Sequence, residues 1–365
     1  MIMTRCALGL EDGTVFVGRG FGATGTASGE VVFNTAMAGY QEILTDPSYC
    51  GQIVTMTAPL IGNYGVNRED IESQGQHLSG FVVRELSRVY SNQRATDDLA
   101  TYLKAAGIIG LVGIDTRALT KRLREHGALR GVISTEVSEP KELVERANAI
   151  SRMTGQNLAK QVSPERETTW SSDGDQDGLT VIAIDCGIKR NILSQLASAG
   201  CSVRVVPGDT SAKTILDRRP DGVLVGNGPG DPAAVTETVA MLRDLIGEVP
   251  IFGICLGHQM LALALGAETY KLKFGHHGAN HPVLNLDTGR VEITSQNHGF
   301  AVDKDSLERV GGRATHMNLY DDSLEGFVCP GKRLFAVQYH PEAAPGPHDS
   351  KYLFNSFVEL MTRST

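Results

Sequence analysis

The sequence predicts an α/β protein with a parallel-sheet domain at its C-terminal end and a domain of mixed α and β structure at its N-terminal end. From residue 179 onward, short apolar runs at 180–185, 203–206, 222–225 and 251–254 alternate with helical patterns at 190–199 and after Pro232. Short buried strands that alternate with helices form a parallel sheet with helices on both faces. A further apolar run at 335–339 predicts another strand, and apolar spacing over 353–361 predicts a packing helix.

The first 162 residues have a less regular pattern. Residues 11–14 are typical of a hairpin turn between short strands, and helical spacing appears at 99–106 and 116–124. Five glycines between residues 18 and 29 match neither the dinucleotide nor the P-loop spacing, so we interpret them as turn residues. We therefore expect a mixed α and β domain without a phosphate-binding loop.

A polar segment at residues 163–178 offers almost nothing apolar to bury and is interpreted as a linker. It separates an N-terminal domain, residues 1–162, from a C-terminal domain, residues 179–365. A chain of 365 residues with 41% apolar content is long enough for two separate cores.

Composition and charge narrow the class of protein. The formal net charge of −8 disfavours nucleic acid and anionic membranes as partners. No stretch approaches the roughly 20 apolar residues of a membrane span, and the first residues lack the apolar core of a signal peptide. Six cysteines without paired spacing indicate neither a zinc site nor a disulfide framework. We expect a cytoplasmic protein.

Cys255 lies between Gly253 and Gly257, directly after an apolar run and before a helical one. This is the layout of a nucleophile elbow, a sharp strand-to-helix turn in which larger residues than glycine would collide with neighbouring elements. The sulfur would lie near the positive end of a helix, which favours the thiolate.

His340, Pro341 and Glu342 follow the predicted strand at 335–339. Residues two apart in extended backbone point to the same face, so the histidine and the carboxylate can touch. Pro341 restricts both neighbours and stiffens the pair. A cysteine, a base and an orienting carboxylate together form an activated nucleophile. Asn227 also follows an apolar run, so the carboxyl ends of the strands should bring it to the same edge as Cys255 and His340.

The histidines at 276, 277 and 281 do not have the spacing of a zinc motif, and the glycines and proline beside them favour a loop. We expect no metal there. Lys271 and Lys273 fit a solvated face as well as a partner surface.

These motifs resemble the class I glutamine amidotransferase family. The resemblance rests on Gly253 to Gln259, on His340-Pro341-Glu342, and on the segment Asn227-Gly-Pro-Gly-Asp-Pro232, which is similar to the oxyanion loop of that family. Segments at 33–49, 113–120, 273–282 and 295–300 narrow the likeness to the small subunits of glutamine-dependent carbamoyl-phosphate synthetase, and it then covers nearly the whole chain.

The resemblance implies a glutaminase. Cys255 would attack the side-chain amide of L-glutamine, His340 would transfer protons, and Glu342 would orient His340, with no cofactor and no metal in this chain. The backbone N–H groups of Leu256 and Gly228 are the natural oxyanion donors. By resemblance, the glutamine contacts are Ser48, Gly228, Gly230, Leu256, Gln259, Asn297, Gly299 and Phe300.

Ammonia released at neutral pH becomes ammonium, which is not a nucleophile, so a glutaminase that feeds a synthesis must deliver its product to a partner. The resemblance supplies a large synthetase subunit that uses ATP, Mg²⁺ and bicarbonate to make carbamoyl phosphate for arginine and pyrimidine synthesis. The N-terminal domain would be the docking domain. Two alternatives remain open: a glutaminase for anthranilate or guanylate synthesis, which would not require residues 1–162, and an inactive regulatory subunit, which would have lost the cysteine or the histidine.

Overall fold

The computed structural model describes residues 4–137, 139–170 and 178–363. The chain divides into two compact units. The first comprises Met1–Met153 and Lys273–Gly278, and the second comprises Thr154–Leu272 and Ala279–Thr365.

The first unit is built on a closed barrel. Its strands are β1 (Arg5–Leu10), β2 (Val15–Gly22), β3 (Thr26–Asn34), β4 (Gln52–Met56), β5 (Leu60–Ile61), β6 (Gly80–Val83), β7 (Glu85–Leu86), β8 (Ile109–Val112) and β9 (Leu129–Ser134). Its helices are α1 (Tyr40–Thr45), α2 (Leu99–Ala105), α3 (Thr116–His126) and α4 (Pro140–Asn148), with a 3₁₀ turn at Pro47–Tyr49. Seven strands close in the order β1-β2-β8-β6-β4-β3-β9, while β5 and β7 pair separately.

The hairpin predicted at residues 11–14 is confirmed, because β1 and β2 pair antiparallel on either side of it. The interpretation of the glycines at 18–29 as turn residues is wrong for most of them, since Gly18, Gly20, Gly22 and Gly29 lie within β2 and β3. Their small size serves strand packing instead. A Cβ on Gly18 would lie 2.4 Å from the carbonyl oxygen of Val112 in the neighbouring strand.

The second unit contains one large sheet, except for residues 273–278 of one of its strands, which are grouped with the first unit. Its strands are β10 (Thr168–Trp170), β11 (Leu179–Asp185), β12 (Cys201–Pro207), β13 (Gly222–Val225), β14 (Ile251–Ile254), β15 (Thr269–Asn285), β16 (Val291–Val302), β17 (Arg313–Asn318), β18 (Leu324–Cys329) and β19 (Leu334–Val337). Its helices are α5 (Ala159–Val162), α6 (Arg190–Ser198), α7 (Ala212–Leu216), α8 (Thr236–Leu245), α9 (Leu256–Leu265), α10 (Lys304–Arg309) and α11 (Tyr352–Thr362), with 3₁₀ turns at Pro232–Ala234 and Pro330–Lys332.

The parallel sheet predicted for this part of the chain is confirmed at its centre. Strands β12, β11, β13, β14 and β19 are parallel neighbours in that order. Alternate residues of each strand enter different cores: Ile182 packs on one face of β11, with α8 and α9, and Val181 on the other, with α6 and α11. Helices therefore cover both faces, as the apolar runs predict.

Three features of the second unit differ from the expectation. The sheet continues beyond β19 through antiparallel strands β18 and β17 to β15 and β16. The segment that contains the histidines at 276, 277 and 281 is strand β15, not a loop, and this strand pairs with β17 at residues 283–285. Residues 168–170 of the predicted linker form β10, which pairs with β12, while residues 171–177 lie outside the described residues.

Candidate active site

Cys255 occupies the turn between β14 and α9. Its backbone has φ 55° and ψ −105°, a conformation that residues with a side chain rarely adopt. The flanking glycines leave room for it: a Cβ on Gly257 would lie 2.1 Å from the carbonyl oxygen of Val225, and one on Gly253 would lie 2.4 Å from Leu261 Cδ1. The nucleophile elbow predicted from the spacing of the glycines is therefore present.

The backbone and the thiol of Cys255 are both held by neighbouring elements. Its N–H donates to the carbonyl oxygen of Val337 at 2.9 Å, which joins the elbow to the end of β19. Its Sγ lies 3.6 Å from the carbonyl oxygen of Asn297 in β16. Leu256 begins α9, so its N–H belongs to the first turn, where the helix supplies no acceptor. Cys255 thus lies directly before the N-terminus of α9.

His340 and Glu342 lie just beyond β19, which ends at Val337 rather than at the histidine itself. The N–H of His340 donates to the carbonyl oxygen of Ser295 at 2.9 Å. Nδ1 of His340 lies 2.7 Å from Oε1 of Glu342, and both side chains are buried. The two side chains meet, as their spacing predicts, and the contact leaves Nε2 of His340 for chemistry.

Lys189 is a member of this cluster that the sequence analysis missed. It precedes α6, and its Nζ donates to Oε1 of Glu342 at 2.9 Å and to the carbonyl oxygen of Ala343 at 2.7 Å. Its side chain is only 3% exposed. The sequence did contain a signal for Lys189. It is a polar residue shortly after a predicted strand, at the sheet edge predicted to carry Cys255 and His340.

The electrostatics of the cluster favour an ion pair. Burial opposes charge on Glu342, but the neighbouring Lys189 and His340 outweigh it and hold the pKa of Glu342 below its usual range. Burial likewise opposes charge on His340, but Glu342 and then Cys255 outweigh it and raise the pKa of the imidazole. The charges around His340 thus favour the protonated imidazole, which lies between Glu342 and Cys255.

The predicted oxyanion loop follows β13. Asn227 is fully buried and its Oδ1 accepts from the N–H of Lys189 at 3.0 Å. A Cβ on Gly228 would lie 2.2 Å from the carbonyl oxygen of Cys186. Gly230 has φ 93°, and a Cβ there would lie 2.6 Å from the carbonyl oxygen of Gln156. Both glycines are thus required by close backbone approaches.

The remaining predicted glutamine contacts of the second unit surround the elbow from β16 and α9. Nε2 of Gln259 donates to the carbonyl oxygen of Phe300 at 2.7 Å. Asn297 and Gly299 lie in the same stretch of β16. Lys271 places its Nζ 5.0 Å from the centre of the Phe300 ring, so it packs on this stretch rather than lying on a wholly solvated face.

Ser48, the other predicted glutamine contact, belongs to the first unit. It lies in the 3₁₀ turn after α1, where its N–H donates to Oδ1 of Asp46 at 2.9 Å. Tyr64 supports the start of α1 by accepting from the N–H of Gly39 at 2.6 Å and stacking on Tyr40. The motif at 33–49 therefore builds a rigid turn that presents Ser48. Its contact with glutamine stays a prediction.

Two family models match this chain, one in its N-terminal part and one in its C-terminal part. Residues 182–360 match the family described as glutamine amidotransferase class-I, and residues 8–133 match the family described as carbamoyl-phosphate synthase small chain, CPSase domain. Curated relatives named carbamoyl phosphate synthase small chain include those of Syntrophotalea carbinolica, 52% identical over 99% of this chain and 98% of the relative, and Chlorobaculum tepidum, 54% identical over 97% of each. That of Thermosynechococcus vestitus is 53% identical over 98% of this chain and 97% of the relative.

The fold and the elbow define a class I glutamine amidotransferase. The chain belongs, more narrowly, to the carbamoyl phosphate synthase small chain family. Its activity is that of the glutamine-hydrolysing subunit of this synthase, and a small chain implies a large-subunit partner. The match of residues 8–133 decides against the anthranilate and guanylate alternatives, which do not require this region. In the part of the chain that the structure describes, no helix is long and apolar enough to cross a membrane.

Proposed function

We propose that Cys255, His340 and Glu342 carry out the hydrolysis of L-glutamine. The observation that supports this most directly is the buried His340, which contacts Glu342 through Nδ1 at 2.7 Å and interacts electrostatically with Cys255. Sγ attacks the side-chain amide carbon, and the imidazolium gives its proton to the departing nitrogen, so that the C–N bond breaks and ammonia leaves. A glutamyl thioester remains on Cys255.

Hydrolysis of the thioester reverses the proton transfers. The neutral imidazole of His340 takes a proton from water while the water oxygen attacks the thioester carbon, and the C–S bond breaks to release glutamate and the thiolate. Glu342 keeps Nδ1 protonated throughout, which leaves Nε2 to take and give the proton. The N–H groups of Leu256 and Gly228 stabilise the oxyanion in both steps. Loss of one such donor costs about 3–4 kcal/mol of barrier.

We infer that the glutamine molecule is held by the set predicted from the sequence. Gln259, Asn297, Gly299 and Phe300 form one wall through α9 and β16, and Gly228, Gly230 and Leu256 form the backbone side. Ser48, held in its turn by Asp46, completes the proposed set.

The proposed partner is a large synthetase subunit that binds ATP and Mg²⁺ and joins the ammonia to bicarbonate. The proposed docking domain is residues 1–162, and residues 179–365 are the amidotransferase domain, with 163–178 between them. A basic row on α3 supports docking by charge: Arg117, Lys121 and Arg124 are exposed at helical spacing, and they line a cavity of about 190 Å³. None of the three forms an ion pair within the described residues. An acidic surface of the partner fits this row.

A cytoplasmic location is proposed because the six cysteines have no paired spacing and all six are free, which fits a reducing compartment. The net charge of −8 supports the expectation that neither nucleic acid nor an anionic membrane is a partner.

The test of the proposed nucleophile is Cys255→Ser in the complex with the large subunit. A hydroxyl is far less ionised than a thiol, so glutamine-dependent formation of carbamoyl phosphate should fall to background. Synthesis from added ammonium chloride should be retained, which controls for folding and docking. Substantial glutamine-driven turnover by this variant would overturn the assignment.

A further inference from the structure

A ring of buried hydrogen bonds connects Glu325 to the predicted glutamine contacts. Nε2 of Gln259 donates to the carbonyl oxygen of Phe300 at 2.7 Å and to Oε1 of Gln338 at 3.0 Å. The same carbonyl of Phe300 pairs with Nδ1 of His298 at 2.7 Å. The N–H of Gln338 donates to the carbonyl oxygen of Glu325 at 2.8 Å. The ring therefore joins α9, β16, β18 and the segment that leads to the catalytic histidine.

Gln296 closes the ring, and its orientation is fixed by the groups around it. Oγ1 of Thr294 donates its one hydrogen to the carbonyl oxygen of His281 at 3.0 Å, so it can only accept from Nε2 of Gln296, at 3.1 Å. The same Nε2 donates to Oε2 of Glu325 at 2.9 Å. Oε1 of Gln296 is therefore the atom that faces Nε2 of His298, at 3.0 Å.

This orientation assigns the charge of His298. A carbonyl oxygen only accepts, so Nδ1 of His298 must donate to Phe300. Oε1 of Gln296 also only accepts, so Nε2 of His298 must donate as well. A ring that donates through both nitrogens is an imidazolium, and His298 is buried.

The opposite charge lies on Glu325, which is fully buried. Its Oε2 accepts from Gln296, and its Oε1 accepts from Nδ2 of Asn318 at 2.7 Å. The orientation of Asn318 is fixed independently, because its Oδ1 accepts from the N–H of Tyr320 at 2.9 Å. Both oxygens of this carboxyl group act as hydrogen-bond acceptors, which is the pattern of a carboxylate.

We propose that Glu325 and His298 form a buried charge pair bridged by Gln296, and that Glu325 is a positioning residue for the glutamine site. The pair fixes the carbonyl of Phe300, which in turn fixes the amide of Gln259. The proposal rests on the proposed function in one respect, the assignment of Phe300 and Gln259 as glutamine contacts. Glu325 does not touch the substrate and acts only through these residues.

The kinetic test uses Glu325→Leu in the complex with the large subunit. Leucine removes the acceptor that holds Gln296 and Asn318 in their orientations, so the wall of the site loosens and the KM for glutamine rises about tenfold, with a smaller change in kcat. Ammonia-dependent synthesis should be retained. Glu325→Gln keeps one acceptor but loses the charge, so its KM should lie between those of the wild type and Glu325→Leu. A KM that is unchanged in Glu325→Leu would overturn the proposal.

Glu292 offers a matched control in the same sheet. It is also a buried acidic residue, but its partners are Asn285, Tyr352 and Tyr339, and among the described residues none of these three hydrogen-bonds to Phe300. Glu292→Leu should destabilise the fold to a similar extent and leave the KM for glutamine unchanged. An equal rise in KM in both variants would show that Glu325 acts only through stability and would overturn its positioning role.

A spectroscopic measurement tests the charge pair without reference to activity. In protein labelled with ¹⁵N-histidine, the ring of His298, assigned by its loss in His298→Asn, should show two protonated nitrogens near neutral pH. In Glu325→Gln, the ¹⁵N signals of the His298 ring should move toward those of a neutral imidazole. One unprotonated nitrogen in the wild-type protein would overturn the charge pair. Failure of the proposed nucleophile would appear separately, as retained glutamine turnover in Cys255→Ser.

Discussion

Replacing Lys189 by methionine removes a buried ammonium and keeps a side chain of similar length. In the native protein its Nζ lies 2.9 Å from Oε1 of Glu342 and 2.7 Å from the carbonyl oxygen of Ala343. The two side chains are 3% and 0% exposed. Removal of one partner from such a pair costs about 3–5 kcal/mol, because the remaining charge stays buried without compensation. We expect the free energy of unfolding of the second unit to fall by this amount and the kcat of glutamine hydrolysis to fall with it.

The same substitution should change the acid sensitivity of the protein. The pKa of Glu342 is below its usual range in the folded state, so this carboxylate stabilises the fold above its unfolded pKa of about 4.3 and the stabilisation is lost as the pH falls. Without Lys189, only His340 offsets the effect of burial on the carboxyl group, so the pKa of Glu342 rises. Acid unfolding and the acid limb of the activity profile should therefore both move to higher pH in Lys189→Met.

The chain offers a convenient probe for this measurement. Trp170 is its single tryptophan, lies in β10 and packs against a core of the second unit, so denaturant unfolding followed by its fluorescence reports on that unit. Lys213→Met is the matched control, because Lys213 pairs with Asp217 at 2.8 Å on the surface. Surface pairs of this kind contribute little. The reasoning would be refuted if Lys189→Met lost no more unfolding free energy than the control and kept its kcat.

Three further outcomes are expected. Glu342→Gln should lower kcat by roughly tenfold or more, since the amide can hold the ring but no longer offsets its charge, and unchanged steady-state kinetics would make the carboxylate a bystander. Gly257→Ala should destabilise the second unit by about 1–3 kcal/mol in Trp fluorescence, because backbone blocks the new methyl group, whereas Gly331→Ala enters open space and should not. Arg117→Glu should weaken binding of the large subunit in analytical ultracentrifugation more than Lys141→Glu on α4 does, and equal affinities would exclude the basic row from docking.

The parallel centre of the sheet in the second unit could be predicted because its signals are local. A strand buried on both faces is a continuous apolar run in the sequence, and Gly253 and Gly257 indicate the elbow. The pairing of His340 with Glu342 follows from their separation by one proline. These features depend on neighbours in sequence, which a single chain displays directly.

The remaining features depend on partners distant in sequence. Lys189 and Glu342 are 153 positions apart, and the sequence around either residue does not indicate that the two pair. The antiparallel extension through β15 to β18 is built from half-polar strands, whose glycines and histidines are as common in loops. The barrel of the first unit could not be predicted for the same reason, since Gly18 and Gly29 are required by the carbonyl oxygens of Val112 and Gly51, which lie far from them in sequence.

At Cys255, the backbone conformation that positions the nucleophile lowers the stability of the fold. A non-glycine residue at φ 55° and ψ −105° costs on the order of 1–3 kcal/mol, a sizeable part of the roughly 5–15 kcal/mol by which a typical protein is stable. The surrounding β14, β19 and α9 must supply that energy through their own packing. Selection for thermal stability alone would therefore favour glycine at position 255 and discard the thiol, so attempts to stabilise this enzyme should begin far from its elbow.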